Sequence, residues 1–245
     1  MIPARYSASR FPGKLMQDLE GESVILRTYK ATLRTKLFSQ VYVVTDSEII
    51  AHEIKSNGGQ VIISTKEHKS GSDRIAEAIQ SVDCDVVVNV QGDEPFTDSE
   101  SLKKLISVFE NDGEKEIDLA SLMVHITDSN EIQNPNTVKV IVNQRNFALY
   151  FSRYAIPFVR EDETKEDANE FHQHIGIYGY TINALEKFQQ LKPSKLEINE
   201  KLEQLRWLEN GGKIKVGTTI YPSFPVDTLE DLISIRKFYA SKGHL

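Results

Sequence analysis

Between Val41 and Asp93 short β-branched runs alternate with amphipathic stretches, and this alternation restricts the fold more than any other feature of the chain. Val41-Tyr42-Val43-Val44, Val61-Ile62-Ile63 and Val86-Val87-Val88-Asn89-Val90 read as strands. Residues 47–56 and the run through Ile75, Ile79 and Val82 have a helical period. Asn57-Gly58-Gly59 stops the first helix, because glycine accepts the positive φ that helix ends favour. Strand, helix, strand in this order folds into a parallel sheet with right-handed crossovers, so the expected class is α/β.

In open α/β sheets ligands bind in the crevice beyond the carboxyl ends of the strands. The turn Gln91-Gly92-Asp93-Glu94 and the polar loop His68-Lys69-Ser70-Gly71-Ser72-Asp73-Arg74 should therefore share one rim. Asp93 is a candidate metal ligand there, with helix capping as its plainer role. His68 is a candidate base or a simple hydrogen-bond partner. The opening stretch MIPARYSASRFPGK combines prolines, serines, Gly13 and the cations Arg5, Arg10 and Lys14, which suits a loop wrapped around a polyphosphate. A formal net charge of −7 disfavours an extended nucleic-acid surface but leaves room for such a local anion pocket.

Past Asp98 or Ser99, which cap a helix through Phe109, and a strand over 119–126, the rhythm changes. Residues 137–142 and 147–152 flank Asn143-Gln144-Arg145-Asn146 and predict a hairpin. A hairpin inserted in an α/β domain commonly meets its copy, so a homodimer is expected. The charged stretch 160–170 predicts a mobile surface loop or lid. In HQHIGIYGY, residues 172–180, glycines interrupt a strand pattern where something approaches closely. The histidines at 172 and 174 share a face, but no third ligand of matching type argues for zinc.

Residues 196–209 predict one long helix closed by Gly211-Gly212, with Ile198, Leu202, Leu205 and Leu208 as its apolar stripe. Glu200, Glu203, Gln204 and Trp207 fall together on another face. Asp227 or Thr228 should cap the last helix. The single cysteine, Cys84, permits no intramolecular disulfide, and between two aspartates it reads as structural. No apolar run approaches the roughly 20 residues of a membrane span and no leader pattern opens the chain, so a soluble, cytoplasmic protein without membrane partners is expected.

MIPARYSASRFPGK, HKSGSDR, VNVQGDEP, NPNTVKV, ALYFSR, HIGIYGY, LEQLR and VDTLEDL occur in this order over the whole chain, and together they resemble the 3-deoxy-manno-octulosonate cytidylyltransferases, or CMP-Kdo synthetases. The resemblance implies a Rossmann-like nucleotide-diphospho-sugar transferase fold, mostly parallel, with an inserted dimerisation hairpin. It implies one nucleotidyltransferase domain over 1–245 with a dimerisation and sugar-binding subdomain near 130–185. The reaction implied joins CTP and Kdo to give CMP-Kdo and pyrophosphate with Mg²⁺, in supply of lipopolysaccharide. By the same resemblance Arg10 and Lys14 hold the CTP phosphates with Arg5 close by, and Ser70, Arg74 and Gln91 border the nucleotide. Asp93 and Asp227 would carry the metal, while Arg153, His174, Glu203 and Gln204 match the sugar side. These types suit the chemistry: a sugar hydroxyl attacking a polyanion needs charge neutralisation and in-line placement more than covalent help.

Two departures from the family pattern stand out. Relatives usually carry several apolar residues before the Pro-Ala-Arg loop, and here only Met1 and Ile2 precede Pro3, so the loop is expected to be poorly anchored with neighbouring strand edges unpaired. Ser72 and Asp73 stand where relatives often have Thr and Glu, which preserves donor and charge. Other readings are a CMP-sugar synthetase for 8-amino-Kdo or a sialic acid, a glycosyltransferase on a similar fold, and a binding protein without activity. QGDEP is a poor match to a glycosyltransferase metal motif, and the cationic opening loop suits a triphosphate better.

Overall fold

The strands expected in the first half of the chain all form, and the opening strand forms as well. The structure is a computed structural model and describes residues 1–7, 11–66, 68, 70–113, 116–160 and 171–242. Arg10, and all of the expected mobile loop except Arg160, lie outside the described residues. The chain divides into two compact units, one of Met1–Leu102 with Ser223–Leu245 and one of Lys103–Pro222.

In the first unit β1 (Ile2–Ala4) pairs in parallel with β4 (Tyr42–Thr45), which pairs in parallel with β5 (Gln60–Ile63). Two very short strands, β2 (Asp18–Leu19) and β3 (Glu22–Ser23), make a hairpin between β1 and α1 (Val24–Arg34). The helices α2 (Glu48–Ser56) and α3 (Gly71–Ala78) follow β4 and β5, and each of α1, α2 and α3 starts on a serine whose side chain accepts a backbone N–H. Strand β6 (Val86–Asn89) completes this part. The expectation of a loosely held opening is corrected here. The Met1 amino group donates to Val88 O at 2.6 Å, Val90 N–H donates to Met1 O, and Ile2 is fully buried, so the residue that enters β1 is tied to the Val88–Val90 segment while β1 itself pairs with β4.

Helix α4 (Ser99–Glu110), capped by the Asp98 carboxylate at Ser101 N–H, leads from the first unit into the second. There, β7 (Leu119–His125), α5 (Ser129–Gln133), β8 (Lys139–Val142), β9 (Ala148–Ser152), β10 (His172–Thr181), α6 (Ile182–Gln190), α7 (Lys195–Glu200), α8 (Gln204–Glu209) and β11 (Ile214–Thr219) follow one another. The strand order is β11-β7-β10-β8-β9, antiparallel except for β11 with β7. The predicted hairpin is β8 and β9. Its turn is set by Asn143, whose side-chain oxygen accepts from Arg145 N–H and Phe147 N–H, and by Asn146, which takes the left-handed conformation that asparagine tolerates. In β10 a Cβ on Gly179 would lie 2.5 Å from Phe109 of α4, so this glycine marks a close approach, whereas Gly176 has open space.

The single helix expected over 196–209 is instead two, broken at Lys201 with φ 55°. The break has a physical reason. Arg206 donates from Nε and Nη2 to both oxygens of Glu197 at 2.9 and 2.5 Å. In one continuous helix nine residues would separate them by about 13 Å of rise. Glu197 also completes a capping box with Ser194, so the same carboxylate starts α7 and anchors α8. The apolar stripe is only half right: Leu202 and Leu205 are buried, but Ile198 is 51% exposed. Trp207 does not face a ligand with Glu200; it is core, near Phe188, with its Nε1 donating to Lys213 O.

Candidate functional site

The cleft of the first unit is built on the carboxyl ends of β1, β5 and β6. It encloses about 210 Å³ and its lining includes Arg5, Phe11, Lys14, His68, Ser70, Arg74, Gln91, Asp93 and Asp227. Seven of the residues singled out in the sequence, Arg5, Lys14, Ser70, Arg74, Gln91, Asp93 and Asp227, thus meet here.

Lys14 is the centre of the cleft. Its Nζ donates to Asp93 Oδ2 at 2.5 Å and to Asp227 Oδ1 at 2.8 Å. Burial opposes the charge, yet the two carboxylates outweigh it and hold the ammonium above its ordinary pKa. Backbone geometry brings these residues together. Gly13, at φ 69°, opens a single 3₁₀ turn over Lys14–Met16 and bonds back to Tyr6 O. The Gln91–Glu94 turn is closed by a bond from Glu94 N–H to Gln91 O and tied to α1 by Thr28 Oγ donating to Gly92 O. The carboxyl-terminal helix α9 (Leu229–Lys242) is capped by Thr228 and by Asp231, whose carboxylate accepts from the N–H groups of Asp227 and Thr228. Since Thr228 and Asp231 do the capping, the Asp227 carboxylate is left for Lys14.

On another wall Ser70 caps α3 by accepting from Asp73 N–H, so the positive end of the helix dipole lies at the cleft. Arg74 is buried; its Nη2 donates to Asp46 Oδ2 at 2.9 Å, while its buried Nη1 has no partner among the described residues. A guanidinium with an orphaned buried N–H beside a helix N-terminus is a place for an anion.

Two acidic residues here were not found from sequence. Glu77 accepts from Ser64 and Thr65 hydroxyls, Thr65 N–H and His68 Nε2, the last at 2.6 Å; burial works against ionisation, but these donors pull its pKa down to about 2. This pairing fixes the ring of His68. The only sequence signal is the spacing of His68 and Glu77 across the helix start. Glu94 is buried behind Asp93 and bonded to the Ser223 hydroxyl; desolvation, reinforced by Asp93, pushes its pKa up to about 7. Its place within QGDEP was visible, its burial was not. Burial pushes the Cys84 thiol pKa up, which disfavours the thiolate.

The remaining sequence-predicted residues, Arg153, His174, Glu203 and Gln204, belong to the second unit. His174 is buried against Phe151 and Tyr178, and burial lowers its pKa to about 3, so the ring is neutral. Its Nε2 is 2.8 Å from Ser121 Oγ, which also lies 3.0 Å from the carbonyls of Ile175 and Ile177. A hydroxyl has one proton and the carbonyls can only accept, so the assignment that satisfies them makes His174 Nε2–H the donor and leaves Nδ1 as an acceptor. Gln204 Nε2 is buried and has no partner among the described residues. Arg153 donates from Nε to Glu200 O and from Nη1 to Pro135 O. Among the described residues no group of three or more His, Cys, Asp or Glu side chains is placed to hold a metal. Two hard carboxylates that already converge on one cationic nitrogen do fit a divalent ion sharing its remaining positions with phosphate oxygens and water.

A parallel α/β sheet with an anion cleft at its carboxyl rim, and a lysine between paired aspartates, defines the class as nucleotidyltransferase. The cytidylyltransferase family profile matches residues 1–214. The chain is 58% identical to the 3-deoxy-manno-octulosonate cytidylyltransferase of Flavobacterium johnsoniae, over 96% of each chain. It is 55% identical to that of Christiangramia forsetii, over 97% of this chain and 94% of the relative. The solved CMP:2-keto-3-deoxy-manno-octonic acid synthetase in complex with CTP superposes with a TM-score of 0.91 at 35% identity, covering 99% of this chain and 98% of that one. A 4-diphosphocytidyl-2C-methyl-D-erythritol synthase from Anaerococcus prevotii, at 14% identity and a TM-score of 0.61 over 97% of this chain and 96% of that one, shares the fold alone. The chain belongs to the 3-deoxy-manno-octulosonate cytidylyltransferase family. Among the described residues no helix is long and apolar enough to cross a membrane.

Proposed function

We propose that this protein transfers CMP from CTP to the anomeric hydroxyl of Kdo, releasing pyrophosphate, and that the Lys14–Asp93–Asp227 cluster is where the triphosphate is held. The observation that carries the reading is one ammonium shared by two carboxylates in a cleft that also contains an orphaned guanidinium N–H. Lys14 neutralises phosphate charge, and Arg74 with the amides at the start of α3 supplies further donors. The sugar hydroxyl gives up its proton to solvent as its oxygen bonds to the α-phosphorus, the bond from that phosphorus to the bridging oxygen breaks, and the pyrophosphate leaves with that oxygen.

Asp93 and Asp227 would hold Mg²⁺. When bound, that ion neutralises phosphate charge and lowers the pKa of a coordinated hydroxyl, which lessens the need for a protein base. On the sugar side, Arg153 is suited to the acid carboxylate, while His174 Nδ1 as acceptor and Gln204 Nε2 as donor suit hydroxyls. Glu203 completes that set, and Arg5 with Arg10 extends the positive charge of the phosphate side. A homodimer through the hairpin region is supported by Leu149, Tyr154 and Phe158, which are 58, 78 and 86% exposed and need a cover. The place of action is the cytoplasm, where CTP is made, in supply of Kdo for lipopolysaccharide.

The test is pyrophosphate release by the purified protein with CTP, Mg²⁺ and either Kdo, 8-amino-Kdo or a sialic acid. Release with Kdo above the other two is expected. CTP binding without release with any of the three sugars would overturn the reading.

A further inference from the structure

Lys139 lies in NPNTVKV, a motif to which the proposed reaction gives no role. It is fully buried on β8, and its Nζ donates to Asn134 O at 2.9 Å and to Arg153 O at 2.7 Å. Burying an ammonium is costly, and a methionine of similar volume would fill the same space without that cost. What the lysine adds is a tie between two main-chain segments.

Those two segments are the ones that hold the Arg153 guanidinium. Arg153 Nη1 donates to Pro135 O at 2.9 Å, next to the Asn134 carbonyl that Lys139 grips. The contacts therefore close a ring: Lys139 to Arg153 O, Arg153 Nη1 to Pro135 O, and Asn134 O back to Lys139. Glu200 at the end of α7 fixes the other side. Its carboxylate accepts from Ser152 Oγ at 2.7 Å and Arg153 N–H at 2.9 Å, and its carbonyl accepts from Arg153 Nε at 2.7 Å. Arg153 is thus held through main chain and side chain at once, and among the described residues only Nη2 of its guanidinium makes no hydrogen bond.

We infer that Lys139 and Glu200 are positioning residues: they form a rigid frame that presents the Arg153 guanidinium, through Nη2, to the carboxylate of the acid sugar. The inference rests on the assignment of Arg153 to the sugar made above. A loosely held arginine still binds an anion, but it loses rotamer entropy on doing so and directs it less well.

The experiment measures KM for Kdo and for CTP, with kcat, in Lys139→Met, Arg153→Ala and the double variant, each checked for folding by circular dichroism. Lys139→Met should raise the Kdo KM at least about 10-fold, as expected for a misplaced binding group, with the CTP KM within about 2-fold. The double variant should be no worse than Arg153→Ala alone, because Lys139 acts only through Arg153. A folded Lys139→Met protein with unchanged Kdo KM, a parallel rise in both KM values, or multiplying effects in the double variant overturns the frame. Should Lys139→Met not fold, Glu200→Gln is judged by the same criteria. If Arg153→Ala leaves the Kdo KM unchanged, the assignment of Arg153 fails and the frame with it; if Arg153→Ala is impaired and the frame variants are not, the frame alone fails.

Discussion

The backbone N–H of Val226 donates to the carbonyl of Asp93 at 2.9 Å, and this bond sets Asp227 beside Asp93 although the two come from opposite ends of the first unit's sequence. Both carboxylates then reach Lys14. Removing either charge leaves Lys14 half compensated and deprives the proposed triphosphate site of one of its two carboxylates. Asp93→Asn and Asp227→Asn should each lower turnover at least about 100-fold through lost electrostatic stabilisation. Pyrophosphate release under saturating CTP, Kdo and Mg²⁺ measures this, and near-normal rates in both variants would dismiss the paired-carboxylate site.

The turn that carries Asp93 has no spare room. A Cβ on Gly92 would stand 3.0 Å from Pro3 O and 3.1 Å from Ile25 Cδ1, so β1, α1 and the turn meet at this point. Gly92→Ala should push the turn away from β1, costing about 1–3 kcal/mol in overpacking. Turnover should fall more than the melting temperature suggests, because Asp93 moves with the turn. Unaltered turnover in a folded Gly92→Ala protein would show that Asp93 is placed independently of this contact.

Glu77 offers a pH signature. Its pKa in the folded protein is about 2, below the ordinary 4.5, so its hydrogen bonds contribute stability that is whole above pH 4.5 and is lost as pH falls towards 2. Glu77→Gln should cost about 1–3 kcal/mol at neutral pH, since bonds to a charged acceptor are lost. It should also flatten the stability profile below pH 4.5. Urea midpoints for both proteins across pH 7 to 3 are the measurement, and parallel profiles would mean that Glu77 is not held ionised by its donors.

The first unit was readable because its elements are separated in sequence and period. β-branched strands and a glycine stop each carry a local signal, and the strand ends put Ser70, Arg74, Gln91 and Asp93 on one rim. What could not be read was contact between distant polar groups. Nothing in residues 196–209 marks Lys201 as a break, because its cause is Glu197 reaching Arg206 after the chain has turned. The anchoring of β1 was missed for a related reason. Length alone predicted weakness, but bonds from Met1 to both Val88 and Val90 and the complete burial of Ile2 compensate for a short strand. Lys139 was legible only as part of a motif, since its partners are two carbonyls, and carbonyls have no sequence signature.

His174 lets the proposed sugar side be tested without substrate. Its folded pKa of about 3 lies below the ordinary 6.5, because a charged ring would be stranded among Phe151, Tyr178 and the Ser121 hydroxyl. The unfolded chain therefore binds a proton that the folded one refuses. The stability gained from keeping the ring neutral is whole above pH 6.5 and is lost as pH falls through the window from 6.5 to 3. The Glu77 effect begins only below 4.5, and Glu94 and the Met1 amino group titrate alike in both proteins, so between pH 6 and 4.5 the difference between variant and unmodified protein reports on His174. Replacing His174 by Gln removes the titration while keeping a polar group for Ser121. The variant's stability should then decline less steeply across this interval, by about 1.4 kcal/mol per pH unit for one full proton. Denaturant unfolding at closely spaced pH values would measure it, and a slope equal to that of the unmodified protein would mean that the ring takes up its proton in the folded state.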